Sequence, residues 1–104
     1  MKMTQEKILR YLKELKPELE SEGIEKLALF GSFATNSQNV YSDIDIAIKK
    51  KSDFLDEYSA YDYFNLMSKI KSKIMYKLHL SSDVFDLDSQ SSFKKQIEKE
   101  LIYV

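Results

Sequence analysis

Leu29-Phe30-Gly31-Ser32-Phe33-Ala34 and, with ten residues between Ser32 and its first acid, Asp43-Ile44-Asp45-Ile46-Ala47-Ile48 are the stretches whose reading decides the fold. The first closes Ile24 to Phe30, a short and mostly apolar run that stops at Gly31, as a buried strand does. The second alternates acid with isoleucine and then becomes wholly apolar. From Ser42 to Ile48 it reads as a strand with Ile44 and Ile46 in the core, while Asp43 and Asp45 project together from the other face. The polar segment between them, Ser32 to Ser42, reads as a short helical turn beginning at Ser32 and then a loop.

Upstream, Thr4 is placed to cap a helix carrying Ile8, Leu12, Leu15 and Leu19 at helical spacing. Pro17 either kinks that helix or opens a second short one. Gly23 suits a left-handed C-terminal cap. Downstream, Lys49 to Lys51 close the second strand and Ser52 or Asp53 caps a long helix. Phe54, Leu55, Tyr58, Tyr61, Phe64, Met67, Ile70 and Ile74 recur along it, and Tyr58, Tyr61 and Phe64 are expected in the core. His79, the one histidine, reads as a helix-end residue. Ser81-Ser82 turn the chain into a third strand, Asp83 to Leu87. Ser89 to Ser92 cap a last helix with Phe93, Ile97 and Leu101, and Ile102-Tyr103-Val104 form a terminal strand or tail. The order predicts an α/β (α+β) fold: a small mixed sheet of three or four strands with helices mainly on one face, in a single domain over residues 1–104.

Two neighbouring carboxylates repel, and each resists ionisation unless a cation sits between them. Magnesium suits Asp43 and Asp45 because it takes oxygen ligands and is commonly held by one or two carboxylates together with substrate phosphates. A third acid on an adjacent strand would complete a platform for two ions. Asp86 is the first choice, since it lies between Phe85 and Leu87, where an unpaired carboxylate is costly; Asp83 and Asp88 read as strand ends and rank behind it. Gly31-Ser32 supplies the anion side: a glycine lets phosphate approach the backbone, and free N–H groups with the Ser32 hydroxyl favour it.

Composition narrows the rest. Sixteen Lys+Arg against seventeen Asp+Glu leave a net charge of −1, so no basic surface for direct nucleic-acid binding is expected. Arg10 is the only arginine. With no cysteine there are neither disulfides nor thiolate metal sites, which suits a cytoplasmic protein. No signal-peptide core follows Met1, and no apolar run nears the ~18 residues of a membrane span.

Gly31-Ser32, ten residues, then Asp43-Ile44-Asp45 resembles the signature of the DNA polymerase β-like nucleotidyltransferase superfamily. The stretch Leu29 to Ala34 with Ser42 to Ile46 is most similar to the minimal nucleotidyltransferases; Leu15-Lys16-Pro17-Glu18-Leu19 and Val84-Phe85-Asp86-Leu87 extend the resemblance. It implies Gly31 and Ser32 in binding the triphosphate of ATP, Asp43 and Asp45 as magnesium ligands, and Asp86 as the third carboxylate and base. It further implies an antitoxin that transfers AMP to a tyrosine of a HEPN-domain toxin partner. The acceptor pocket is then completed by the partner chain or by self-association. The alternative is a subunit that keeps its acids but neutralises its partner by binding alone. Where the family often reads Gly-Ser-x-Ala-Arg-Gly, this chain has Thr35-Asn36; Asn36 tolerates positive φ, and Lys69 or Lys73 of the long helix is the candidate to supply the missing cation.

Overall fold

In the computed structural model, which describes residues 2–89 and 91–104, Thr4 caps the first helix, α1 (Gln5–Ser21), its hydroxyl oxygen accepting from Lys7 N at 3.3 Å. Met1, and Gln90 within the expected cap Ser89 to Ser92, lie outside the described residues. Ile8, Leu12, Leu15 and Leu19 form the buried stripe of α1, and the helix continues through Pro17 as one element. Gly23 follows at φ +100°, where a Cβ would stand 2.6 Å from the Phe54 ring. Glycine is therefore required there for conformation and for space.

Four strands follow in the spatial order β3-β2-β1-β4. β1 (Ile24–Phe30) pairs antiparallel with β2 (Ile44–Lys50) and with β4 (Ile102–Tyr103). β2 pairs in parallel with β3 (Ser82–Asp86), an arrangement that needs the helical crossover lying between them. Ile44, Ile46 and Ile48 face α1 and α3 (Ala60–Leu78) with no exposed surface, and each contributes roughly 1.5–3 kcal/mol of burial. The other face carries a smaller cluster of Ala28, Phe30, Ala47, Leu87 and Ile97, covered by the short α4 (Phe93–Ile97) and the 3-10 turn Glu98–Glu100. The helices thus lie mainly on one face, and the second face is only partly roofed.

The expected long helix is broken. A single turn, α2 (Phe54–Glu57), ends at Tyr58 in extended conformation, and α3 restarts from a capping box in which Ser59 and Asp62 exchange hydrogen bonds. The Ser59-x-x-Asp62 pattern was the available signal, and the restart rotates the apolar stripe to Leu66, Ile70 and Ile74. Tyr58 stacks on Phe54, but Tyr61 and Phe64 are 74% and 66% exposed, so their expected place in the core is corrected. The Lys69 and Lys73 expectation is corrected too. Both turn to acids of the α1 end, Lys69 to Glu18 and Glu22 and Lys73 to Glu18, away from the Gly31 turn. His79 closes α3 in the left-handed conformation, φ 59°, as a helix-end residue.

Because the capping box satisfies two helix-end N–H groups, Ser59→Ala is expected to destabilise the protein by about 1 kcal/mol in urea denaturation. Ser59→Asp, which keeps an acceptor there, should restore most of the loss.

Candidate active site

Alternation along β2 decides what the open face carries. With Ile44, Ile46 and Ile48 turned to the helices, Asp43, Asp45 and Ala47 turn the other way. The parallel register sets Asp83 beside Asp45, and Asp83 shares its face because Val84, the next residue, packs with the helix-side core. Asp43, Asp45 and Asp83 therefore gather at the start of the β2–β3 pair.

Asp86 does not join them. It lies three residues beyond Asp83, an odd spacing that sends it to the opposite face, opposite Ile48. There it accepts hydrogen bonds from Lys50 Nζ at 2.5 Å, Tyr63 Oη at 2.6 Å and Asp88 N at 2.8 Å. Burial favours its protonated form, but the bonds from Lys50 and Tyr63 outweigh that and hold its carboxyl below the usual range. The cost of an unpaired carboxylate between Phe85 and Leu87, which pointed to a ligand, is met instead by this pairing. Asp88 is drawn into the same cluster, 3.3 Å from Lys50 Nζ.

Asp45 behaves oppositely. Burial, reinforced by the charges of Asp83, Asp43 and Glu100, pushes its carboxyl up to about 6. No basic side chain contributes to that shift, so the carboxylate is held among like charges. Asp43 receives a hydrogen bond from the Ser81 hydroxyl. Among the described residues no three Asp, Glu or His side chains close into a metal cage. The donor set is all oxygen and lies on one face of the sheet, which suits magnesium, an ion that completes its octahedron with phosphate and water.

Gly31 has a second function in this geometry. It follows Phe30, the register partner of Asp45, at φ +77°, and a Cβ there would fall 2.1 Å from Asp45 Oδ2. The space left by the absent side chain is filled by the Asp45 carboxylate itself. After Gly31 the chain makes the expected turn, with Ala34 N and Thr35 N bonding to Gly31 O and Ser37 N to Ser32 O. Gln5 ties this turn to α1 by donating to Phe33 O and Ala34 O. Gly31 N donates to Glu100 Oε1 at 2.9 Å, while the N–H groups of Ser32 and Phe33 have no protein acceptor among the described residues. Ser32 and Phe33 thus offer two adjacent available donors directly after Gly31. Thr35 hydrogen-bonds back to Gly31 O and Ser32 O, and Asn36 adopts φ 57°.

With that geometry in view, the family described as Polymerase beta, Nucleotidyltransferase matches residues 6–104. The chain belongs to this nucleotidyltransferase family. A protein of Methanocaldococcus jannaschii named for protein adenylyltransferase activity is 32% identical over 83 residues, 78% of this chain and 76% of the relative. The fold matches a solved minimal nucleotidyltransferase with a TM-score of 0.72 at 17% identity, covering 96% of this chain and 95% of the other. It also matches a chain of a toxin–antitoxin crystallised with AMP-PNP, with a TM-score of 0.57 at 25% identity, covering 97% of this chain and 72% of the other. No helix among the described residues of this nucleotidyltransferase is long and apolar enough to cross a membrane.

The raised carboxyl of Asp45 has a stability consequence. Between the ordinary aspartate value and about 6, the folded protein binds more protons than the unfolded chain, so this group's contribution falls as pH rises through that window. In metal-free buffer Asp45→Asn should therefore melt above the parent protein at pH 7.5. The gap should close as pH falls toward 4, followed by circular dichroism.

Proposed function

We propose that this nucleotidyltransferase transfers AMP from ATP to a protein hydroxyl, a tyrosine of a HEPN-domain toxin partner, and thereby acts as a cytoplasmic antitoxin. The observation that carries the reading is the crowding of Asp43, Asp45 and Asp83 on one open face, with no cationic side chain among the groups that shift Asp45. Three carboxylates so placed are stabilised by divalent cations, and the nearby Ser32 and Phe33 N–H groups are suited to a triphosphate. The relative named for protein adenylyltransferase activity supports the acceptor class, and the toxin–antitoxin crystallised with AMP-PNP supports the donor and the kind of partner.

In this reading Asp43, Asp45 and Asp83 would hold up to two magnesium ions, and Asp83 replaces Asp86 as the third carboxylate. Bound magnesium would withdraw charge from the α-phosphoryl oxygens and from the departing pyrophosphate. Ser32 and the turn after Gly31 hold the β- and γ-phosphates by backbone N–H donation. The acceptor oxygen forms a bond to the α-phosphorus as the bond to the bridging oxygen breaks and pyrophosphate leaves. Asp83, exposed at the start of the edge strand β3, receives the hydroxyl proton.

A second reading, neutralisation by binding alone, is favoured by one observation. Thr35 closes its own turn at the position where the resembled signature often has arginine, and Lys69 and Lys73 are engaged by Glu18 and Glu22. Incubation with α-labelled ATP, magnesium and a purified HEPN partner separates the two. The double variant Asp43→Asn/Asp45→Asn should lose label transfer at least a hundredfold while still binding the partner. Undiminished labelling would refute the transfer mechanism, and full protection of cells by the unlabelling double variant would favour binding alone.

The exchange of Asp86 for Asp83 has its own test. Asp83→Asn should abolish transfer with little change in stability. Asp86→Asn should instead cost about 1–3 kcal/mol, by weakening the Lys50 and Tyr63 bonds, and leave transfer within several-fold of the parent at a temperature where it is folded.

A further inference from the structure

Glu100 is a long way from the signature in sequence, yet it reaches the centre of the site. β1 and β4 pair through Ala28↔Tyr103 and Leu29↔Ile102. Continuing that antiparallel register by two rungs sets Gly31 opposite residue 100. At that point the C-terminal segment is no longer a strand: Glu98–Glu100 form a 3-10 turn, and Leu101 is the extended residue that joins it to β4. Its backbone has left the ladder, which would leave the Gly31 N–H without a partner at the edge of a half-buried site. The Glu100 side chain replaces it, accepting from Gly31 N at 2.9 Å across 69 residues of chain.

That bond fixes more than one amide. Gly31 sits at φ +77°, a conformation that only a restrained glycine holds reliably, and its Cα face is filled by the Asp45 carboxylate. The next two residues are those whose N–H groups are available to an anion. A charged acceptor on an N–H is also among the stronger hydrogen bonds a backbone group makes. The bond's cost is evident in the same geometry, because Glu100 adds its negative charge to those already surrounding Asp45. A carboxylate stands here despite that repulsion.

We infer that Glu100 is a positioning residue for nucleotide binding: by holding the Gly31 N–H it sets the direction of the Ser32 and Phe33 donors. The inference rests on the proposed function, in that a nucleotide triphosphate is the ligand those donors meet. In this role Glu100 touches neither phosphate nor acceptor and reaches the Ser32 and Phe33 donors through Gly31.

Two substitutions separate the hydrogen bond from the charge. Glu100→Gln keeps a side-chain oxygen able to accept from Gly31 N and removes the charge; Glu100→Ala removes both. Binding of AMP-PNP at saturating magnesium, measured by calorimetry, should weaken about tenfold in Glu100→Ala and stay within about threefold of the parent in Glu100→Gln. In transfer assays the loss in Glu100→Ala should fall on KM for ATP and leave kcat little changed. Amide exchange without nucleotide should be faster at Gly31, Ser32 and Phe33 in Glu100→Ala only, with β2 unaltered. If the parent binds AMP-PNP and Glu100→Ala binds it equally well, the inference is wrong and the proposed function stands. If Glu100→Gln fails as badly as Glu100→Ala, the charge rather than the bond matters, and the positioning role is overturned. A parent protein that binds no nucleotide removes the proposed function and this inference together.

Discussion

The packing of the Asp45 carboxylate against the bare Cα of Gly31 is the contact on which the site depends. It links the two central strands at the one place where β1 must stop and turn, because Phe30 pairs with Asp45 and no side chain fits at the next position. From that contact the remaining geometry follows. Asp43 shares the face of Asp45 by alternation, Asp83 joins by parallel register, and the turn after Gly31 presents backbone donors nearby. The arrangement is electrostatically unfavourable by itself, since burial and three neighbouring acids all oppose ionisation of Asp45. A binding site for cations commonly has this character: the apo protein stores repulsion that a divalent ion relieves.

The two faces of the sheet divide stability from chemistry. On the helix side, the isoleucines of β2 pack under α1 and α3, and Asp86, which reaches this layer, is paired with Lys50 and Tyr63. On the other side the apolar cluster is small, roofed by a helix of five residues, and bordered by Asp43, Asp45 and Asp83, which have no basic partner among the described residues. One β3 strand serves both. Asp83 and Asp86 are the same residue type three positions apart, and the pleat alone gives one to the site and the other to the structural layer.

Much of this was legible in the residues. Ile24 to Phe30 was bounded correctly because Gly23 and Gly31 punctuate it, and the acid–isoleucine alternation told which side of β2 faces the core. The sheet, its mixed character and the family followed from Gly31-Ser32 and Asp43-Ile44-Asp45. Asp86 was expected beside Asp43 and Asp45 but lies on the other face; burial between apolar neighbours is ambiguous, since it fits a ligand or an internal ion pair, and only tertiary structure reveals Lys50, 36 residues away. Counting strand parity from Val84 would have favoured Asp83. The long helix was overextended because three- and four-residue spacing continues across Tyr58 by coincidence, although Ser59 and Asp62 carried a restart signal. Glu100 had no local signature at all, since its partner is a backbone amide 69 residues earlier.

The central claim is that Asp43, Asp45 and Asp83 form one carboxylate cluster awaiting a cation. It is tested most directly by following the Asp45 side-chain carboxyl by carbon NMR through a pH titration, with and without magnesium and AMP-PNP. The account predicts a midpoint about 6 in the metal-free protein that moves well below the ordinary aspartate value when both are added. An Asp45 midpoint near that ordinary value, unmoved by magnesium and nucleotide, would contradict it.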